Sequence, residues 1–194
     1  MAETIYISVD VECSGFVPSL FSMYSIGAEA YGPGAKVLGH FSVNLNELPG
    51  AGLLPEVQEF WLNYPAAWRA HRVNPVAPER AMLLFASWLT QIREACGPRV
   101  KLIFVAWPLG FDWQFINWYF AYTGVGNPFD GMFDLRSYAM GKLGLDYQDA
   151  AKAKLPRALT LHLPPHTHVA LDDARSQGEL FCRLFYGRTR DFSA

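Results

Sequence analysis

Three β-prone segments stand at the start of the chain before any helical periodicity begins, and this ordering narrows the fold more than any other feature. Thr4 to Val11 alternates β-branched and aromatic residues with small or polar ones and predicts a strand. Met23 to Tyr31 and Lys36 to Leu45 predict two more, with the turn signal Gly32-Pro33-Gly34 between them. The pattern then changes period. Pro55 to Tyr64 predicts a helix with proline in its first turn, and Ala66 to His71 a short helical piece before a break at Asn74 to Pro78. Pro78 to Ala95 repeats Met82, Phe85, Ala86 and Leu89 at helical spacing and stops at Gly97-Pro98. Val100 to Ala106 predicts a buried strand, Phe111 to Tyr122 an aromatic-rich helix, Gly131 to Leu135 a short strand and Arg136 to Leu143 a helix. Asp146 to Pro165 is polar, carries three prolines and follows no period, and Val169 to Tyr186 predicts the last helix. A β-meander followed by βαβα units implies an α/β fold with one mixed five-stranded sheet, antiparallel meander plus parallel strands, flanked by helices. No internal repeat or linker divides residues 1–194, so one domain is expected.

Composition removes several function classes. The chain has 194 residues, 16 Lys+Arg against 18 Asp+Glu, and a formal charge of −2, which argues against a polybasic binder. Its 51% apolar content supports a full core, and no apolar run approaches a membrane span. Met1-Ala2-Glu3-Thr4 lacks the basic start of a secretion signal, so a cytoplasmic location is expected. Cys13, Cys96 and Cys182 are odd in number and widely spaced, which fits reduced thiols better than a structural zinc site.

Three acidic positions carry the chemistry. Asp10-Val11-Glu12 ends the first strand, and residues two apart project to one side, so both carboxylates share a face. Adjacent carboxylates repel, and a hard divalent cation resolves the conflict. Asp112 opens the aromatic helix directly after a buried strand, where an open α/β sheet presents ligands, although helix capping also accounts for a lone Asp there. His168-Val169-Ala170-Leu171-Asp172-Asp173 opens the last helix; capping explains one Asp but not the preceding His. A His/carboxylate set for zinc is a further reading, while the predominance of Asp and Glu favours magnesium or manganese.

In order and setting, these motifs resemble those of the DEDDh 3′-to-5′ exonucleases, the family of polymerase proofreading subunits, oligoribonuclease and ribonuclease T. The resemblance runs from about Thr4 to about Tyr186. The family's first motif, D-x-E-T-T-G or D-x-E-x-T-G, corresponds to Asp10-Val11-Glu12-Cys13-Ser14-Gly15. The second, N-x-x-F-D before an apolar helix, corresponds to Phe111-Asp112, with Pro108 in the Asn place. The third, H-x-A-x-x-D, is matched by His168 to Asp173, which selects Asp173 over Asp172 and His168 over His166. A sister group would need Tyr where Val169 stands.

The resemblance implies a ribonuclease H-like fold and a metal-dependent 3′-5′ exonuclease releasing nucleoside 5′-monophosphates, an exoribonuclease or single-strand-specific enzyme being the favoured form. It implies that Asp10, Glu12, Asp112 and Asp173 hold two Mg²⁺ or Mn²⁺ ions, that Asp10 bridges them, and that His168 is the general base. Ser14, Gly15 and Phe16 are expected to meet substrate, Phe16 by stacking on the terminal base. Lys142, Lys152, Lys154 and Arg157 are candidate phosphate contacts, and Trp107, Trp113 and Trp118 are expected in the core. The expected partner is a single-stranded nucleic-acid 3′ end, RNA or DNA; family analogy alone raises a homodimer. Two alternatives stand beside this reading: a metal phosphodiesterase acting on a small nucleotide, and a catalytically silent nucleic-acid-binding module on the same fold.

Overall fold

The computed structural model describes residues 4–187; the expectation drawn from Met1 to Glu3 lies outside them. Five strands form one sheet in the order β3-β2-β1-β4-β5: β1 (Thr4–Cys13), β2 (Met23–Gly32), β3 (Lys36–Asn44), β4 (Lys101–Ala106) and β5 (Gly131–Asp134). β1, β2 and β3 pair antiparallel, while β4 runs parallel to both β1 and β5. The helices are α1 (Pro55–Asn63), α2 (Pro65–Ala70), α3 (Pro78–Cys96), α4 (Leu109–Thr123), α5 (Leu135–Leu143), α6 (Arg157–Thr160) and α7 (Ala170–Tyr186). The mixed five-stranded sheet flanked by helices is therefore present. No described helix is long and apolar enough to cross a membrane, and Cys13, Cys96 and Cys182 are free thiols.

Strand alternation sorts β1 between two cores. Ile5, Ile7, Val9, Val11 and Cys13 are buried in the core that includes Phe85 and Leu89 of α3 and Phe115 and Tyr119 of α4. Tyr6 packs against a second core built from Leu180, Phe181 and Leu184 of α7 with Leu135 of α5. The even positions Ser8, Asp10 and Glu12 share the side of Tyr6 and so face α7. β2 is buried along its whole length, which is why its residues are small or apolar with few exceptions. The three tryptophans expected in the core, Trp107, Trp113 and Trp118, pack against these clusters.

Parallel pairing of β1 with β4 ends at Ser8 opposite Val105. Beyond that point β1 continues alone on this edge, and its free backbone groups need other partners. The Gln177 carboxamide of α7 donates to the Val9 and Val105 carbonyls at 3.0 and 3.2 Å and to Ser8 Oγ at 3.1 Å. Ser8 Oγ in turn donates to the Ala174 carbonyl at 2.7 Å. Gln177 is thus a buried polar clamp holding α7 across the opening between two strands.

Two glycines set the distance of α7 from the sheet. A Cβ at Gly27 of β2, opposite Asp10 in the ladder, would lie 2.1 Å from the Ala170 carbonyl carbon at the start of α7. A Cβ at Gly178 would lie 2.2 Å from the Tyr31 ring. The first contact is with backbone and cannot be relieved by a rotamer. Gly27→Ala is therefore expected to destabilise the protein by about 1–3 kcal/mol in urea unfolding. An unchanged midpoint would mean that the start of α7 has slack on the sheet.

Candidate active site

β1 and α7 bring three carboxylates together. Single ligand oxygens of Asp10, Glu12 and Asp173 lie within 4.8 Å of one another. The two β1 residues converge because they occupy alternate positions on the face toward α7, and Asp173 sits in the first turn of that helix. Asp112, in the first turn of α4, is buried and its Oδ1 accepts from the Val11 N–H at 3.1 Å. That donor belongs to the stretch of β1 that β4 leaves unpaired. The carboxylate caps an open sheet edge and is thereby held next to the other three.

The consequence is electrostatic. Burial, reinforced by Asp112 and Asp173, pushes the Asp10 carboxyl well above the usual carboxylate range. Burial together with Asp10 does the same to Glu12. Burial raises Asp112 to about 7 despite its bond from Val11 and the nearby Lys152 ammonium. Like charges confined at this spacing favour protonation or a bound cation.

Asp173 is held from its own side by the segment leading into α7. Thr167 N–H donates to its Oδ1 at 2.9 Å, and His168 N–H donates to its Oδ2 at 3.0 Å. His168 adopts φ 59°, a left-handed conformation that histidine visits more readily than most residues, and this bend turns both N–H groups onto the carboxylate. The imidazole of His168 packs against Phe60 and Tyr64, with ring centroids 4.8 and 4.1 Å away. Burial and the neighbouring His166 lower its pKa below the ordinary 6.5.

The substrate-side candidates separate. Ser14 is fully buried: its hydroxyl donates to the Gly52 carbonyl at 2.7 Å and accepts from Ser22 N–H at 2.8 Å, while its own N–H and C=O bind Ser22 and Leu54. All its polar groups are committed to the loop. Gly15 lets Phe21 close beneath the loop, since a Cβ there would meet that ring at 2.3 Å. Phe16 is 58% exposed and lines a cavity of about 300 Å³ with Glu12, Gly15, Glu56, Phe60 and Phe111.

Of the four basic candidates, Lys142 is taken up structurally, donating to the Leu184 and Gly187 carbonyls at the end of α7. Lys154 pairs with Asp149 at 3.1 Å. Arg157 is exposed. Lys152 stands near enough to oppose the charge of Asp10 and Asp112. Pro108, in the place of the motif's Asn, precedes α4, whose first N–H, at Leu109, donates to Asp134 Oδ2 at 2.7 Å. The other oxygen of Asp134 caps α5 through the Ser137 N–H.

Sequence reasoning missed two partners. Gln177 lies four residues after Asp173, on the same helical face, and that spacing was the available signal. His166 was passed over for His168, yet its Nδ1 lies 2.8 Å from Asp173 Oδ2.

Comparison with known proteins follows the geometry. The chain is 32% identical to the 3′-5′ DNA exonuclease Cap18 of Escherichia coli over 183 residues, covering 91% of this chain and 89% of that protein. The nuclease domain of 3′hExo, a DEDDh family member bound to rAMP, matches with a TM-score of 0.74 at 11% identity, over 94% of this chain and 92% of that one. E. coli exonuclease I in complex with a dT13 oligonucleotide matches with a TM-score of 0.70 at 14% identity, over 98% of this chain but only 42% of that one. The two structural likenesses establish the fold. No protein-family model matches the chain.

The raised carboxyls make a signed prediction. A carboxyl whose folded pKa is raised contributes stability that is present below its unfolded value, 3.8 for Asp, and lost as pH rises through the folded value, about 7 for Asp112. In EDTA, Asp112→Asn is expected to gain stability over wild type across that window, by a few kcal/mol in order of magnitude. Thermal melts of both proteins at several pH values measure this; a gain that shrinks with rising pH would contradict the charge cluster.

Proposed function

The chain belongs to the DEDDh family of 3′-to-5′ exonucleases, and from that premise we propose that it removes nucleotides from the 3′ end of single-stranded DNA. The observation that carries the reading is the meeting of Asp10, Glu12 and Asp173 within 4.8 Å, with Asp112 buried beside them on the open edge of β1. DNA is preferred over RNA because the 32%-identical relative is a DNA exonuclease.

The donor set fits divalent cations. It is made of carboxylate oxygens, it carries more negative charge than its surroundings neutralise, and Mg²⁺ and Mn²⁺ take such ligands. Asp10, Glu12, Asp112 and Asp173 would hold two such ions. Ions held there would supply charge stabilisation to the oxygens of a phosphoryl displacement.

The protein's own groups do the rest. Asp112 stays in place because Val11 N–H binds it, and Asp173 because Thr167 and His168 N–H bind it. Neutral His168 accepts a proton from the attacking water as the bond to phosphorus forms. Phe60 and Tyr64 pack its ring and restrict its rotamers. The cavity of about 300 Å³ beside Glu12 has the volume of a small ligand pocket, roughly 300 Å³ at the lower limit, and its apolar floor suits a terminal base. The exposed ring of Phe16 is placed at its edge for stacking, a contact worth about 1–3 kcal/mol and tolerant of base identity. Products are nucleoside 5′-monophosphates.

A time course on 5′-labelled single-stranded DNA and RNA, with Mg²⁺, Mn²⁺ or EDTA, tests the reading. A metal-dependent ladder shortening from the 3′ end of DNA is expected. Asp10→Ala and Asp173→Ala should abolish it with unchanged circular dichroism, and wild-type turnover in either would remove the metal proposal. Stronger shortening of RNA would reverse the substrate assignment.

The pH profile tests the base. An unperturbed histidine places the rise of activity near pH 6.5. The lowered value of His168 moves that rise to more acid pH, because the neutral, accepting form then predominates earlier. With Mg²⁺ saturating at every pH, so that protons do not displace it from the raised carboxyls, the rise should centre below pH 6.5 and be lost from whatever activity His168→Ala retains. A rise centred above pH 6.5 would assign the proton to another group.

A further inference from the structure

We propose that His166, His168 and Asp173 form a zinc-selective site, distinct in donor chemistry from the carboxylate set, through which Zn²⁺ blocks the enzyme. One ligand atom from each of the three lies within 4.8 Å of the others. His166 Nδ1 is 2.8 Å from Asp173 Oδ2, and the two imidazole rings are 4.2 Å apart, centroid to centroid. The turn at His168, with φ 59°, directs its backbone N–H onto the Asp173 carboxylate and keeps its ring beside that of His166.

The donors decide the ion. Two imidazoles and a carboxylate suit zinc, whereas Mg²⁺ prefers oxygen. Zinc takes nitrogen and oxygen ligands at about 2.0–2.2 Å, so atoms already this close need only small side-chain movements. Three protein ligands leave a fourth position for water. The His166 side chain is 57% exposed, which gives an ion a path from solvent. Asp173 is oriented from behind by the Thr167 and His168 N–H groups, the kind of support that fixes metal ligands.

The blocking effect rests on the function proposed above. A zinc-bound His168 has no free nitrogen at the reaction centre, and Asp173 is shared with an ion in the wrong place. Selectivity therefore comes from His166, which stands outside the carboxylate set and which the third motif does not require.

Binding is tested separately from catalysis. Zn²⁺ is titrated calorimetrically into wild type, His166→Ala and Asp112→Asn, and Co²⁺ is used as a coloured substitute in the same proteins. His166→Ala is expected to lower zinc affinity at least about tenfold, the least that even an outer-shell change typically costs. Asp112→Asn should retain it, and Co²⁺ in wild type should give the intense visible bands of a nitrogen-containing site of low coordination number. Wild-type zinc affinity in His166→Ala, loss of zinc in Asp112→Asn alone, or only the weak bands of an all-oxygen octahedral site would each overturn the proposal. Inhibition is then read as the Zn²⁺ concentration that halves the Mg²⁺-supported rate of wild type and of His166→Ala, which should be at least about tenfold higher in His166→Ala. Absence of any nuclease activity would overturn the function and leave the calorimetric result standing.

Discussion

Everything at the centre of this molecule depends on where β1 and β4 part. Their ladder stops at Ser8 and Val105, and β1 runs on to Cys13 with one edge open. Buried backbone groups without partners cost about 1–3 kcal/mol each, so the edge has to be satisfied from outside the sheet. Gln177 takes the Val9 carbonyl and Asp112 takes the Val11 N–H. These two bonds come from α7 and α4, the same helices that contribute acids to the cluster. The opening that a parallel sheet would normally close is what admits two helix starts to the end of β1. Structural necessity and the acidic site share the same hydrogen bonds.

The concentration of charge has a cost that the fold meets through orientation. Asp173 accepts two backbone N–H bonds and Asp112 one, while Asp10 and Glu12 have no comparable support among the described hydrogen bonds. Asp10 and Glu12 are also the pair pushed well above the ordinary range, with burial as the largest cause in both. The helix-borne acids are thus anchored, and the strand-borne acids have oxygen lone pairs free for an external cation. This division of labour fits a site whose cation arrives after folding, because the fixed half of the ligand set is built by the backbone.

Much of this was legible in the chain. Alternation marks β1 and a continuous apolar run marks β4, and all five strands lie within a few residues of the expected segments. Met82, Phe85 and Leu89 marked α3 at helical spacing. The three motifs located the acids because their chemistry requires specific residue types at strand and helix ends. What escaped has a common cause. Lys142 is a polar residue whose partners, the Leu184 and Gly187 carbonyls, lie far away in sequence, and a polar residue looks the same whether it meets ligand or a distant carbonyl. Asp146 to Pro165 is held by isolated apolar anchors, Leu155 and Leu159, and by short helical turns without a repeat. Periodicity has nothing to register there.

His166 sharpens the point. Motif spacing distinguishes His168 from His166 only if the intervening chain is regular. The left-handed bend at His168 makes it irregular and returns His166 to Asp173. Two residues that a regular extended chain would carry along one face instead converge on a single oxygen. The site therefore holds one more nitrogen donor than the H-x-A-x-x-D pattern specifies. That nitrogen is carried by a side chain that is 57% exposed and belongs to none of the apolar clusters, so its presence is a property of the site rather than of the fold. A nuclease centre built of carboxylates discriminates weakly among divalent ions that accept oxygen. Adding imidazole at its rim gives softer ions a competing place to bind, and the same bend that orients Asp173 for the carboxylate set is what puts the imidazole there.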